Sequence, residues 1–255
     1  MYHIEPPCNQ HHAPDTNFFI ECVIVCHKFS DFLRYTLPNN KQFFDRIVIV
    51  TSPEDKVTQK LCEFYHVECV ATENLRTAEG QFCKGAGINA GLERLSKRGW
   101  VLHMDADIWL PPQFRGLLAW AHLDPQMIYG IDRFSVPNVK AWQAFLNVPK
   151  LQHECGSYIH LHTSGFPVAT RVMQQPFGGY VPIGFFQLWN PGTSGVYTYP
   201  QGHTNAGRED TLFANYWPRN RRSFIPEIIG YHLESGPAVM GINWGGRKTP
   251  EFILE

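Results

Sequence analysis

Charge of one sign is the first thing missing from this 255-residue sequence: 22 Lys and Arg stand against 23 Asp and Glu, a formal net charge of −1 with histidine neutral. So small an imbalance gives no strong long-range pull on nucleic acid or an anionic membrane, and leaves room only for a local basic patch. Long hydrophobic runs are missing too, none approaching the roughly 20 apolar residues that cross a bilayer. The opening MYHIEPPCNQHHAPD has neither the basic nor the apolar stretch of a secretory leader. Cysteine is present but unpatterned. Cys8, Cys22, Cys26, Cys62, Cys69, Cys83 and Cys155 are odd in number and form no zinc-type framework. Several sit in apolar runs, where a thiol packs as a small hydrophobe. A reducing, cytoplasmic setting is the expectation. Internal repeats and low-complexity linkers are absent as well.

What is present is a globular composition, 44% hydrophobic, of a length that suits one large α/β domain. Residues 1–17 are polar and Pro-rich and read as a loose arm. Strand and helix signals then alternate. Phe18–Cys26 (FFIECVIVC) is a short apolar run that fits a strand buried on both faces. A helix is expected over 31–37, with Ser30 as its N-cap. Arg46–Thr51 is a second strand. Ser52-Pro53-Glu54 opens a helix, with proline at its first position, that runs to about Tyr65. Val67–Val70 is a third strand, Cys83–Lys97 a helix, and Trp100–Met104 a fourth strand. Gln113–His122 is helical. From 133 to 205 the pattern loosens into Gly, Pro, His and aromatic residues with little periodicity. Such alternation argues for a parallel sheet whose ligands lie outside the carboxyl ends of its strands. Residues 18–130 form one half and 131–255 a second half packed on it.

The sharpest chemical feature is His103-Met104-Asp105-Ala106-Asp107. Two carboxylates spaced i, i+2 past a buried strand can share one hard cation, since oxygen ligands suit Mg²⁺ or Mn²⁺. A D-x-D tripeptide alone is common, and its place at a strand end is what favours function over a solvated turn. His160 and His162 form an H-x-H with no third ligand nearby in sequence. His11-His12 falls in the loose arm. Arg219, Arg221 and Arg222, with Arg247 and Lys248, are the candidate basic patch.

Four segments carry a family resemblance: VIVCHKFSDFLRYTLPNN (23–40), RIVIVTSPED (46–55), FCKGAGINAGLERL (82–95) and HMDADIWLPP (103–112). Through them the first ~110 residues resemble a family-two glycosyltransferase, and more loosely so does the C-terminal part from Pro182, while residues 133–180 match nothing in that family. The resemblance implies the GT-A fold, a Rossmann-like, mostly parallel sheet flanked by helices with a smaller acceptor-side region. It implies metal-dependent, inverting transfer of a hexosyl group from a nucleoside-diphosphate sugar, UDP-linked, to an acceptor hydroxyl. Under it, Asp105, Asp107 and His232 (in Ile229-Gly230-Tyr231-His232) hold Mn²⁺ or Mg²⁺. Cys26, His27, Thr51, Ser52, Lys84, Asn89, Asp105 and Ala106 face the donor, and Arg247 and Lys248 fold over its diphosphate. Pro182–Leu188 lines the acceptor side. In Gly207-Arg208-Glu209-Asp210, Asp210 is the first candidate for general base and Glu209 the second. Helix-start acids favoured by the dipole are the plain alternative.

Rival functions remain at this point. One is the same chemistry on hydroxymethylated bases of DNA, using the basic patch. Another is a binding module that recognises a nucleotide-sugar or glycan without catalysis. A nucleotidyltransferase would want a glycine-rich loop after the first strand, where His27-Lys28-Phe29-Ser30 has no glycine.

Overall fold

The computed structural model describes residues 18–147, 168–169, 180–201, 206–236 and 241–253. The expected arm, His11-His12, His160, His162, Cys8 and Cys155 lie outside the described residues. The alternating first half folds as β1 (Ile20–Val25), α1 (Ser30–Asn40), β2 (Arg46–Thr51), α2 (Lys56–Phe64), β3 (Glu68–Ala71), α3 (Lys84–Leu92) and β4 (Trp100–Asp105). The short β5 (Ile108–Trp109) and α4 (Phe114–Trp120) follow. Then come β6 (Ile128–Val136), α5 (Val139–Leu146), β7 (Val168–Ala169), β8 (Phe186–Trp189), α6 (Pro191–Ser194), α7 (Glu209–Ala214) and β9 (Arg222–Leu233).

Among the described residues the nine strands join one sheet, in the order β3-β2-β1-β4-β8-β6-β9-β5, with β7 beside β6. Strands β1 to β4 pair in parallel, β8 enters antiparallel to both β4 and β6, and β6 pairs in parallel with β9. The order makes the FFIECVIVC run intelligible. Ile20, Cys22 and Ile24 face one core with Leu33, Leu37 and Phe114, while Val23 and Val25 face the other with Ile88 and Leu92. A strand covered on both faces has no reason to alternate in polarity. From β1 the chain steps outward to β2 and β3, then back across to β4. The switch point lies between β1 and β4, where Val25 pairs with Asp105.

Several helix boundaries differ from expectation. The residue preceding α1 is Phe29, with no side-chain cap, and Ser30 is already helical, so Ser30 does not cap. The second helix begins at Lys56, not at Ser52-Pro53. Asp55 caps it, accepting from the Thr58 N–H (3.1 Å) while also taking the Lys28 N–H (2.7 Å). Helix α3 stops at Leu92, five residues early, because buried Glu21 draws in the following turn. Its carboxylate accepts from the N–H groups of Ser96 (2.9 Å) and Lys97 (2.6 Å). The segment from Ile128, which showed little periodicity past Asp132, contains β6 and α5. The β6–β9 pairing is interrupted between Gly130 and Asp132, and Pro226, which has no N–H to give, falls in that irregular stretch of β9. Cys22, Cys26, Cys62, Cys69 and Cys83 are free thiols. Among the described residues no helix is long and apolar enough to cross a membrane.

Candidate active site

Two backbone bonds and the side chains of α1 bring three distant segments to the end of β4. The Asp105 N–H donates to the Phe185 carbonyl (3.1 Å), and the Leu233 N–H donates to the Asp107 carbonyl (2.9 Å). From α1, the Thr36 hydroxyl donates to the Ala106 carbonyl (2.7 Å), and the Asn40 amide bridges Ile108 and Leu110. The aspartate pair is therefore held on all sides before any ligand arrives. Around it opens a cleft of about 620 Å³.

Of the residues expected to act, His27, Lys84, Asp105, Ala106, Asp107, Asp210, His232 and Arg247 line that cleft. Lys84, first in α3, pairs with Asp105 at 2.5 Å. Burial would lower the ammonium pKa, but the Asp105 carboxylate overrides it and raises it. Asp105 is itself pushed up by burial and by Asp107. His232 Nε2 stands 3.3 Å from Asp107 Oδ2, and its Nδ1 stands 3.0 Å from Glu234 Oε1. Burial works against the imidazolium, yet the two carboxylates win and raise His232 to about 9. Glu234 gave no signal in the sequence beyond lying two residues past His232, which in a strand puts both side chains on one face.

Among the described residues no three such side chains are gathered into a finished metal cage, because Asp105 turns to Lys84 and Asp107 to His232. The donor set nonetheless fits a hard cation. Asp107 Oδ1 is buried with no hydrogen-bond partner, an arrangement that costs free energy unless something completes it. Glu234 fixes the imidazole so that Nε2 faces the aspartates, in the manner of a carboxylate–histidine–metal triad.

Asp210 and Glu209 separate. Asp210 faces the cleft, its Oδ2 accepting from Gly184 (2.8 Å) and its Oδ1 from Thr211 (2.7 Å). Glu209 is 1% exposed and turned the other way, accepting from the Gly85 N–H at 2.6 Å. Burial raises it to about 7. Beneath Asp210, the Gln187 amide donates to the carbonyls of Asp210 (2.9 Å) and Pro182 (2.8 Å), and Tyr199 donates to Gln187.

On the β1 side, Arg76 donates to His27 Nε2 (3.0 Å), so Nε2 is an acceptor and Nδ1 carries the proton toward Ser52 (2.9 Å). Burial and Arg76 together lower the His27 pKa, which keeps the ring neutral. Phe82 stacks on it at 6.1 Å. Cys26, Thr51, Ser52, Asn89 and Lys248 do not line the cleft. Cys26, Thr51, Ser52 and Asn89 are buried behind it. Asn89 clasps the backbone of Tyr199 on both sides (3.0 and 2.7 Å), and Lys248 lies exposed on the rim. Arg247 reaches the cleft with its donors already engaged. Its guanidinium forks onto Asp31 and donates to the carbonyls of Lys28 (2.8 Å), Thr249 (3.2 Å) and Pro250 (2.5 Å). It is an anchor for the C-terminal segment on α1. Arg219, Arg221 and Arg222 lie at the other end of β9: Arg222 pairs with Ile128 and His232 with Ser135, a span of roughly 23 Å at strand rise. Arg219, Arg221 and Arg222 thus do not form one surface with Arg247 and the cleft.

No protein-family model matches this sequence, and none of the curated proteins matches it. Solved structures do match. Glucosyl-3-phosphoglycerate synthase from Mycobacterium tuberculosis, in complex with uridine-diphosphate, is 12% identical with a TM-score of 0.51, over 89% of this chain and 74% of that one. A mannosyl-3-phosphoglycerate synthase from Rubrobacter xylanophilus is 16% identical with a TM-score of 0.36, over 53% of this chain and about half (49%) of that one. A 4-diphosphocytidyl-2C-methyl-D-erythritol synthase from Anaerococcus prevotii is 12% identical with a TM-score of 0.43, over 84% and 89%. The chain has the GT-A fold.

Proposed function

We propose that this chain transfers a hexosyl group from a UDP-sugar to an acceptor hydroxyl, with inversion. One observation carries the reading: Asp105, Asp107, His232 and Asp210, drawn from β4, the turn after it, β9 and α7, face a single cleft in which Asp107 Oδ1 is buried and unpartnered. Asp105, Asp107 and His232 Nε2 would hold Mn²⁺ or Mg²⁺. Bound there, the cation supplies neutralisation of the charge that develops on the departing diphosphate.

The remaining chemistry belongs to the chain's own residues. The neutral His27 ring and Phe82 form a flat wall at the end of β1 suited to stacking a nucleobase. Lys84 is placed to swing from Asp105 toward a phosphate oxygen as the aspartate takes up a cation. Asp210 is held by two backbone N–H groups and keeps lone pairs toward the cleft, which suits it to receive the acceptor proton. In a single displacement the acceptor oxygen bonds to the anomeric carbon while that carbon's bond to the diphosphate oxygen breaks. The acceptor proton passes to Asp210, and the diphosphate leaves as UDP. Glu209 is assigned no part in this step, because it faces Gly85 from behind α3.

The test is the melting temperature of the protein against UDP, GDP, CDP and ADP, each with and without Mn²⁺. A ligand that binds only the native state raises it by mass action. The expected result is a metal-dependent rise with UDP that disappears in Asp107→Ala. No metal-dependent rise with any of the four overturns the donor assignment. A rise with UDP but no transfer to any acceptor hydroxyl, with retention of the sugar on UDP, favours a non-catalytic nucleotide-sugar module.

A further inference from the structure

Sheet order lays the cleft out as a line. The end of β1 carries His27, β4 carries Asp105, the approach to β8 carries Gly184 and through it Asp210, and β6 comes next with Arg133. Arg133 therefore stands beyond the proposed base, on the side away from the nucleobase wall. Its guanidinium lies over the Phe185 ring, 4.2 Å from the centroid. Phe185 itself is fixed, since its carbonyl accepts from the Asp105 N–H.

The acids of the cleft already have direct partners. Asp105 is on Lys84, Asp107 and Glu234 are on His232, and Asp210 is on two backbone N–H groups, while Arg247 is paired with Asp31 outside the cleft lining. Arg133 alone among the cleft's cationic side chains makes neither an ion pair nor a hydrogen bond with any described residue. Its charge still reaches Asp107, His232 and Glu234 across space. A guanidinium offers five N–H donors in a rigid plane that matches a carboxylate or phosphate, and stacking on an aromatic face holds that plane still. A half-buried guanidinium whose donors are unspent among the described residues is wasteful as a structural group and suited to one that waits for a ligand.

We propose that Arg133, held flat on Phe185, is an oxyanion-binding subsite on the acceptor side of the cleft, so that the acceptor carries a carboxylate or phosphate beside the hydroxyl that reacts. The word acceptor rests on the glycosyl-transfer reading; the anion site does not. A bidentate Arg–oxyanion pair would orient the acceptor relative to Asp210 and reject uncharged analogues.

The experiment is isothermal titration of the full chain with glycerol 3-phosphate, glycerate and glycerol at fixed ionic strength, with and without saturating UDP and Mn²⁺. Wild type should bind one or both anions and not glycerol, and the stronger of the two identifies the oxyanion. Arg133→Gln should weaken that binding at least tenfold while the response to UDP and Mn²⁺ is unchanged. Arg133→Lys, which keeps the charge and loses the fork, should fall between them and serves where Arg133→Gln does not fold. Equal anion binding by wild type and both variants, or no anion binding by wild type, overturns the proposal. Arg133-dependent anion binding without any response to UDP leaves the subsite standing and removes the donor reading instead.

Discussion

Between Ile20 and Asp105 the sheet is built from short strand–helix steps: β2 lies beside β1, β3 lies beside β2, and β4 returns to the free edge of β1. Beyond Ile128 it is built from strangers. Strand β8 inserts antiparallel between β4 and β6, and β6 finds its parallel partner β9 some ninety residues later, Ile128 opposite Arg222. The first region supplies the aspartate pair, Lys84 and the stacked His27 and Phe82 rings. The second supplies His232, Asp210 and Arg133. Local units make a rigid platform cheaply, while the second region depends on a few long-range polar clasps. These include Gly85 to Glu209, Asn89 to Tyr199, Gly184 to Asp210 and Leu233 to Asp107. Under the proposed function most of the donor side sits on the platform, and the clasps carry the acceptor side together with His232.

Removing the charge at the platform should have the largest effect. Asp107→Asn should lower kcat by about 10³-fold or more, an interaction worth about 4 kcal/mol in the transition state. The stabilisation by UDP with Mn²⁺ should vanish with it, while urea unfolding of the free protein changes by less than about 1 kcal/mol. A variant that keeps both turnover and the metal-dependent response would break the division between platform and clasps. On the other side, Asp210→Asn should cost about 10²- to 10³-fold in kcat with UDP binding intact. Glu209→Gln, one residue away but facing Gly85, should cost no more than a few-fold. Equal losses in the two variants, read as initial rates under saturating donor, would mean that the two acids are not divided as their geometry divides them.

The same contrast explains what the sequence disclosed. The run FFIECVIVC, the repeated strand–helix spacing and the D-x-D at a strand end are local signals, and β1 to β4 fall where those signals lie. Helix ends were less legible because tertiary groups set them. Glu21, at the start of β1, pulls the chain out of helix at Ser96, and Asp55 rather than Pro53 decides where α2 begins. Strand β6 was lost because both of its faces are buried from Ile128 to Asp132 and its edge partners β8 and β9 come from far along the chain, so IYGIDRFSV shows little of the period that a half-exposed strand would. Asp210 and His232 were legible only by resemblance. Asp31, Phe82 and Arg133 were not legible at all, since each acquires its role from a residue remote in the chain, and Glu234 has meaning only once His232 beside it is placed at the aspartates. Arg247 carried the right charge for a diphosphate, yet Asp31 on α1 had already claimed its fork.

Packing offers a smaller test of platform rigidity. A Cβ on Gly91 of α3 would lie 2.5 Å from a Val23 methyl and 2.8 Å from a Val50 methyl, both in the body of the sheet. Gly91→Ala should therefore destabilise by about 2–3 kcal/mol through overpacking. Gly116, exposed on α4 with nothing within 4 Å of such a Cβ, should do the reverse. Gly116→Ala is expected to stabilise by about 0.5–1 kcal/mol, since alanine restricts the unfolded chain and favours helix. Urea midpoints at constant slope separate the two, and a neutral Gly91→Ala would show α3 to be looser on the sheet than its contacts indicate.

The last test concerns the clasp that joins the two regions. Glu209 of α7 is buried against the Gly85 N–H of α3, its second oxygen has no hydrogen-bond partner, and burial raises its pKa from 4.5 to about 7. For an acid whose native pKa lies above its unfolded value, the native state holds the proton longer than the unfolded chain does. Its contribution to stability is then complete below about pH 4.5 and is lost progressively as pH rises to about 7. Wild type should therefore lose up to about 2 kcal/mol relative to Glu209→Gln between pH 5 and pH 7, and nothing further above pH 8. Glutamine cannot ionise and its carbonyl oxygen can still accept from Gly85, so the variant isolates the charge from the hydrogen bond. Unfolding free energies measured in urea across that range decide it. Parallel curves for the two proteins would mean that water or a cation reaches Glu209. The clasp between α3 and α7 would then be wetter, and the second region freer to move on the first, than a dry carboxyl allows.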